Sequence, residues 1–387
     1  MGARRRSSRP SPGRADRIGD MIRFVALVLA AMALSGQEAP VGNGAGVANP
    51  DRGQATAGHP VFLYEEALTA DARAALVDAG AKPYFVIYQN NVDPDAQRTG
   101  RINVSALGRG VLASQGDTPA GWGVLDFEEP FLALIQEGPS HPRYASLVDT
   151  MVEAIRAMKR VFPNVKWTYY GVPGLLYYVD GRPWSEVPPE QRLAEERRQG
   201  AAWAPVMAEC DWIAPCIYNV VGDKSGSASP PDGIRKSTRD WSEARTRVAV
   251  RFVKERGLEV PVIPFASPLF MPGGGARTYS PIPTSIFVED TVEPARRAGA
   301  SGLCLWMGAK YLIQAAARPS NDEERLMVGR WAVDAGLPRE ALEGDDGAIR
   351  VAGLLARSQV SAMRAASASW NAASGRPPAE QPGKTGH

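Results

Sequence analysis

Trp122-Gly123-Val124-Leu125-Asp126-Phe127-Glu128-Glu129-Pro130 is a short, nearly continuous apolar run that ends in carboxylates. Such a run reads as a strand covered on both faces, as in a parallel sheet with helices packed outside it. Side chains alternate along a strand, so Asp126 and Glu128 share one face and Glu129 takes the other. Two carboxylates at one place repel each other. With partial burial added, one of the two should keep its proton to near-neutral pH, as a general acid requires. A strand that merely ends in solvated acids would have the same spacing, so the neighbouring elements must decide between the two readings.

Runs of the same kind stand at 84–88, 167–170, 212–218, 260–265 and 302–306. Between them the apolar period changes from two to 3.6. The clearest helical stripe is Tyr144, Leu147, Val148, Met151, Val152, Ile155 and Met158, which buries one face against a sheet. Further helices are expected over 189–209, 238–256 and 286–298. Strand followed by helix, repeated along the chain, is the rhythm of an α/β protein, here a TIM-like (β/α) barrel, regular or distorted, of seven or eight strands. A doubly wound open sheet competes with it, but no glycine-rich nucleotide or phosphate loop follows any of these strands. The stretch between the run at 84–88 and Asp126 leaves little room for a helix. Irregular stretches at 177–189, 222–234 and 271–283 follow strands, where a barrel keeps its substrate contacts.

The chain has 387 residues, 44% of them apolar, which is enough for one large α/β barrel or two ordinary domains with a sizeable core. Its net charge of +2 is unevenly spread. Arg4, Arg5, Arg6, Arg9, Arg14, Arg17 and Arg23 face only Asp16 and Asp20, so the body without this arm carries about −3. A nucleic-acid partner is not expected of a slightly acidic body. The apolar run 24–34 is shorter than the roughly 20 residues of a membrane span. It fits the core of a signal peptide at about residues 21–36, with small residues Ala33, Ser35 and Gly36 near a cleavage point and Met21 as an alternative start. The expected organisation is therefore a basic arm with signal peptide (1–36), a linker (37–58), the barrel (59–340), a helical segment (341–371) and a tail (372–387). A secreted or periplasmic location follows, without stable membrane insertion after cleavage.

Cys210, Cys216 and Cys304 are too few for a disulfide framework, and packing is their expected role; a bridge between Cys210 and Cys216 is conceivable. His59, His141 and His387 have no paired spacing, which argues against a histidine-based zinc site or a Ser/His/Asp triad. No metal and no cofactor is expected.

Aromatic residues close the other strands. Trp167-Thr168-Tyr169-Tyr170-Gly171-Val172-Pro173 ends one, Ala214-Pro215-Cys216-Ile217-Tyr218-Asn219 another, and Leu303-Cys304-Leu305-Trp306-Met307-Gly308 the last. Sugars present apolar C–H faces and many hydroxyls, so a site walled by Trp and Tyr beside two carboxylates suits them. Tyr88, at the end of the run 84–88, and Asn219 complete the set of candidate substrate contacts.

These motifs resemble the hyaluronidase family of glycoside hydrolases. Residues 123–129 are similar to its Gly-x-x-Val/Ile-Ile-Asp-Phe/Trp-Glu strand, and residues 167–173 to its Trp-Gly-Tyr-Tyr-Gly-Tyr-Pro. Ile217-Tyr218 and Gly302-Leu303-Cys304-Leu305-Trp306 resemble two further strands, in the same order. The similarity spans roughly residues 81–310 and is concentrated in these four motifs. It implies a retaining, substrate-assisted hydrolase of an N-acetylhexosamine glycan, with Glu128 as general acid and base. By the same resemblance Asp126 and Tyr218 orient the acetamido group, Tyr170 holds it and Trp306 packs beside it. Glu129-Pro130-Phe131 departs from the family's usual Trp-Arg-Pro, and the acidic body departs from what a polyanion such as hyaluronan favours. Two other readings stay open: a barrel glycosidase on another glycan with a carboxylate nucleophile, and a glycan-binding envelope protein without catalysis.

Overall fold

In the computed structural model, residues 60–65, 68–219, 232–271, 279–342 and 344–373 are described. The expected basic arm, export segment and linker lie outside them, as do parts of two expected loops and nearly all of the tail.

Six strands form one parallel sheet: β1 (Val61–Tyr64), β2 (Ala81–Tyr88), β3 (Gly121–Asp126), β4 (Val165–Tyr169), β5 (Phe265–Ala266) and β6 (Gly302–Leu305), in the order β4-β3-β2-β1-β6-β5. It is a half-barrel of the kind seen in a partial or distorted barrel. Register places Tyr88 beside Asp126 and Leu125 beside Tyr169. Beyond β5, the segment 212–218 runs parallel to it through bridges Ile213–Val262 and Cys216–Phe265. Two backbone bonds, Asp211 N to Trp167 O and Gly171 N to Ala214 O, tie that same segment to the end of β4.

The runs 212–218 and 260–265 read as full strands, yet regular pairing survives only at Phe265–Ala266. The cause is proline. Pro215, Pro261 and Pro264 cannot donate, but each carbonyl accepts, from Phe265, Ile213 and Cys304 respectively. The parallel course is kept while the ladder loses half its bonds at those positions.

The helices 144–158 and 189–209 are found as Tyr144–Val161 and Pro189–Met207. That over 238–256 starts earlier, at Asp232. The helix over 286–298 is broken into Thr284–Phe287, a widened π turn Val288–Val292 and Glu293–Arg297, with Pro294 unable to donate within it. The stretch before Asp126 does hold a helix, contrary to expectation: Val104–Gln115, capped where Asn103 Oδ1 accepts from Ala106 N at 3.1 Å and anchored by buried Leu107 and Val111. The four-residue strand β1 and the helix Ala70–Asp78 behind it escape notice because so short a run gives no period to read. Three further helices, Ala309–Ala317, Asp322–Asp334 and Gly344–Ala373, follow the last strand. Among the described residues no helix is long and apolar enough to cross a membrane.

Three apolar clusters follow from strand alternation. Ile87, Leu125, Phe127, Trp167 and Tyr169 face outward and pack on Tyr144–Val161 and Pro189–Met207. Phe62, Tyr64, Leu303 and Leu305 face outward under Gly344–Ala373, where Trp370 meets Phe62 edge-on at 5.7 Å. The inner face gathers Leu63, Tyr84, Val124, Trp212, Cys216, Phe265 and Cys304. Gly123 is required by this layering: a Cβ there would stand 2.7 Å from the Trp167 ring and from Val165.

Candidate active site

The site grows from the inner face by the two-residue period of each strand. One step beyond Val124 is Asp126, and one step beyond Cys304 is Trp306. Val86 leads to Tyr88, Cys216 to Tyr218 and Leu63 to Glu65. All leave their strands at the carboxyl end, where a parallel sheet changes from packed core to solvent. Tyr170, Tyr218 and Trp306 belong to the inner cluster itself.

Asp126 and Glu128 are brought together at the end of β3, close enough for each to shift the other's proton affinity. Burial, then the charge of Glu128, then that of Glu65, pushes Asp126 well above the ordinary carboxylate range. Glu128 is also raised, by the protein packed around its carboxyl and next by Glu129, although the residue as a whole lies open at the rim; the influence of Asp126 works the other way. The pair therefore holds one proton to a higher pH than an isolated acid. Asp126, the deeper member, is the one raised further. The other oxygen of Asp126, Oδ1, is buried without a partner. A buried acceptor in that condition costs free energy unless something arrives to bond it.

The aromatic wall is tightly arranged. Trp306 stacks on Tyr218, centroids 5.4 Å apart and planes 22° from parallel. Tyr170 lies 6.1 Å from Tyr218 and 5.2 Å from Phe265. The Tyr170 hydroxyl donates to Cys216 Sγ at 3.3 Å, whereas the Tyr218 hydroxyl is buried with no partner. Burial lifts both phenols well above their ordinary range, so each remains a protonated donor. Gly308, at φ 56°, lets the chain turn directly beneath the Trp306 indole, which a Cβ would meet at 2.7 Å. Tyr88 donates to Glu65 Oε1. Asn219 is buried beyond Tyr218; its Oδ1 accepts from Thr291 Oγ1 at 3.2 Å, while its Nδ2 has no partner.

Three residues at the site were not singled out from sequence. Glu65 adds a third carboxylate beside Tyr88 and Asp126, and the step of two from Leu63 would have found it. Gln89 follows Tyr88 and donates to the Glu129 carbonyl at 2.9 Å, holding the acidic turn in place. Arg245 is buried and donates to Gly171 O at 2.6 Å and Pro173 O at 2.9 Å, fixing the turn that carries Tyr170. It arrives from a helix more than 70 residues away, so no local pattern announces it. The three cysteines are free and buried, and Cys210 and Cys216 do not pair. Burial pushes the Cys210 thiol up to about 12. Among the described residues no group of three His, Cys, Asp or Glu is placed to hold a metal ion.

No family model matches the chain, and no curated relative matches it. Among solved structures it is similar to bee venom hyaluronidase, at 12% identity over 72% of this chain and 97% of that one, with a TM-score of 0.43. The same enzyme in complex with a hyaluronic acid tetramer gives 13% identity, 71% and 96% coverage and a TM-score of 0.47. The endo-β-1,4-mannanase of Thermotoga petrophila gives 13% identity over 61% of this chain and 52% of that one, with a TM-score of 0.36. Overlap at these values leaves the chemistry to be read from the residues of this chain.

Proposed function

We propose that the chain is an exported retaining glycoside hydrolase, similar to hyaluronidases, that cleaves an N-acetylhexosamine-containing glycan with help from the substrate's own acetamido group. The observation that carries this reading is the pair of Asp126 and Glu128 at the end of β3, beside the Tyr170, Tyr218 and Trp306 wall. In two-carboxylate glycosidases the acids flank the bond, about 5–5.5 Å apart for retention and 6.5–9.5 Å for inversion. Asp126 and Glu128 come from one strand end and each shifts the other's proton affinity, so they stand side by side and do not flank a bond from two elements. Their closeness suits a relay in which one acid serves the leaving oxygen and the other serves the neighbouring amide.

The steps follow from the protonation. A sugar entering against the Trp306 and Tyr218 rings presents its amide N–H to the unpartnered Asp126 oxygen, which favours ionised Asp126 and leaves the shared proton on Glu128. Glu128 gives that proton to the glycosidic oxygen as the bond from C1 to the leaving group breaks. The acetamido carbonyl oxygen attacks C1 and forms a cyclic cation, beside which Asp126 is now negative. The free Tyr218 hydroxyl is the donor available to the acetamido oxygen, and that of Tyr170 becomes one by giving up its bond to Cys216 Sγ. Glu128 then removes a proton from water, which attacks C1 and restores both the acetamide and the pair.

Glu65 favours a second reading. It is a carboxylate held by Tyr88 on the other side of Asp126, where it would serve as a nucleophile for a glycan lacking the acetamido group. Under either reading we take the strand-like segment 212–218 to close the half-barrel between β5 and β4, and the basic arm with its apolar run to export the chain.

Screening the full chain against hyaluronan, chondroitin, chitin oligomers and peptidoglycan for new reducing ends tests the proposal. Glu128→Gln should lower turnover by about 10²–10⁴-fold with the fold intact. Undiminished turnover in that variant would sink it. A covalent glycosyl-enzyme trapped on Glu65 would move the assignment to the second reading, and glycan binding without any turnover would make the chain a binding protein.

A further inference from the structure

We infer that Tyr279 and Tyr311 form an outer subsite that stacks a pyranose ring of the glycan next to the one being cleaved, so that the chain prefers the interior of a polymer to a short oligosaccharide. The inference rests on the hydrolase reading above.

Both tyrosines come from segments that leave the mouth of the half-barrel. After β5, Leu269 and Phe270 pair antiparallel with Pro281 and Ser280, and Tyr279 directly precedes that second strand. That strand pair is anchored at the site, because Met271 N donates to Asn219 O at 2.9 Å and Met271 packs in the cluster of Tyr218 and Trp306. After β6 and Trp306, the turn at Gly308 starts the helix Ala309–Ala317, whose first turn carries Tyr311. The two rings meet edge to face, centroids 6.5 Å apart and planes 69° from parallel. Trp331 Nε1 donates to the Tyr279 carbonyl at 2.8 Å, so the backbone under the pair is pinned from behind.

Their environments differ in a way that suits a ligand. Tyr279 is half-buried, and among the influences that raise its phenol, after burial and Tyr311, is the charge of Glu128, so its ring stands within electrostatic reach of the acid. Tyr311 is 55% exposed, an open ring with no core to fill. An isolated exposed tyrosine needs no explanation. One braced edge-on by a second tyrosine, next to a strand pair whose Met271 packs with Tyr218 and Trp306, is a rigid apolar surface beside the aromatic wall. Such a surface accepts the C–H face of a sugar, while the phenolic oxygens remain free to bond its hydroxyls. Since the Trp306 and Tyr218 stack already occupies the mouth beside Asp126, the Tyr279–Tyr311 pair supplies a second platform for a neighbouring unit of the same chain.

The test uses the full chain and the members of the screened panel that come as length series, chitin and hyaluronan oligomers of two to eight sugars. Tyr311→Ala should lower the ratio of kcat/KM for the longest to the shortest cleaved oligomer by about tenfold, mainly through KM, as expected for lost uniform binding. Tyr311→Trp should retain the ratio, since it keeps an aromatic face. Leu326→Ala, at an exposed position outside the site, should leave it unchanged and controls for folding. The same loss should appear by calorimetry as weaker binding of the longest oligomer to Glu128→Gln carrying Tyr311→Ala, where turnover plays no part. An unchanged ratio and unchanged binding in Tyr311→Ala, with the wild type active, overturns the subsite alone. A wild type that neither cleaves nor binds any panel glycan overturns the hydrolase reading and the subsite with it.

Discussion

Asp126 is a half-buried carboxylate with one oxygen sealed from solvent, Glu196 is a buried one, and their surroundings treat them in opposite ways. Glu196, on Pro189–Met207, is 3% exposed and receives Arg247 at 2.6 Å and Arg251 at 2.9 Å from Asp232–Glu255. Asp290 repeats the arrangement with Arg235 at 2.8 Å and Arg239 at 2.9 Å. Each negative charge is met by two guanidinium groups, which join helices on the outside of the sheet. Asp126 has no cation against it among the described residues. Its neighbours are Glu128 and Glu65, and one of its oxygens has no partner at all. A carboxylate that is neutralised by its surroundings serves the fold; one that is crowded by like charges and left unsatisfied stores a proton and a vacant acceptor for something else.

The contrast can be broken from either side. Glu196→Gln should cost roughly 2–3 kcal/mol of stability, because two guanidinium groups lose their counter-charge, less than the 3–5 kcal/mol of a wholly buried pair since both arginines stay partly in water. Denaturant unfolding reads this, and glycan turnover by the folded protein should not change. A variant that kept its stability would show that the outer ion cluster contributes nothing to the fold.

At Asp126 the sign reverses. Its proton affinity is raised in the folded state, so its stabilising contribution is complete below the ordinary value of 3.8 and is lost as pH rises through the folded value. Asp126→Asn removes that titration. It should therefore raise the melting temperature by roughly 2–4 °C at pH 7, with the gain vanishing below pH 4, while turnover falls. A loss of stability at pH 7 would mean that Asp126 has a structural partner after all. The smallest effect on stability is expected at Tyr218. Because its buried hydroxyl bonds nothing, Tyr218→Phe should shift unfolding by less than about 1 kcal/mol, whereas turnover should drop at least tenfold if the hydroxyl holds the acetamido oxygen. Equal kinetics for the two proteins would remove Tyr218 from the chemistry.

How much of this was legible beforehand depended on range. Asp126 and Glu128 could be placed on one face because alternation is a local property of a strand. Tyr170, Tyr218 and Trp306 could be placed at strand ends for the same reason. Glu65 was within reach of that logic, but its strand of four residues was too short to recognise. The helix before β3 was passed over although Asn103, Leu107 and Val111 carry its cap and its stripe. Arg245 and the Tyr279–Tyr311 contact had no local signal, since each joins segments far apart in the chain.

By itself, the sequence determined the parallel-sheet rhythm, the carboxylate pair and its aromatic neighbours, because periodicity and side-chain alternation act between residues close along the chain. Only the tertiary structure decided which carboxyls are pushed above their ordinary range, which buried oxygens lack partners and which carboxylates are neutralised by arginine. Those outcomes depend on burial and on charges brought in from other strands and helices, and neither quantity exists until the chain has closed around them.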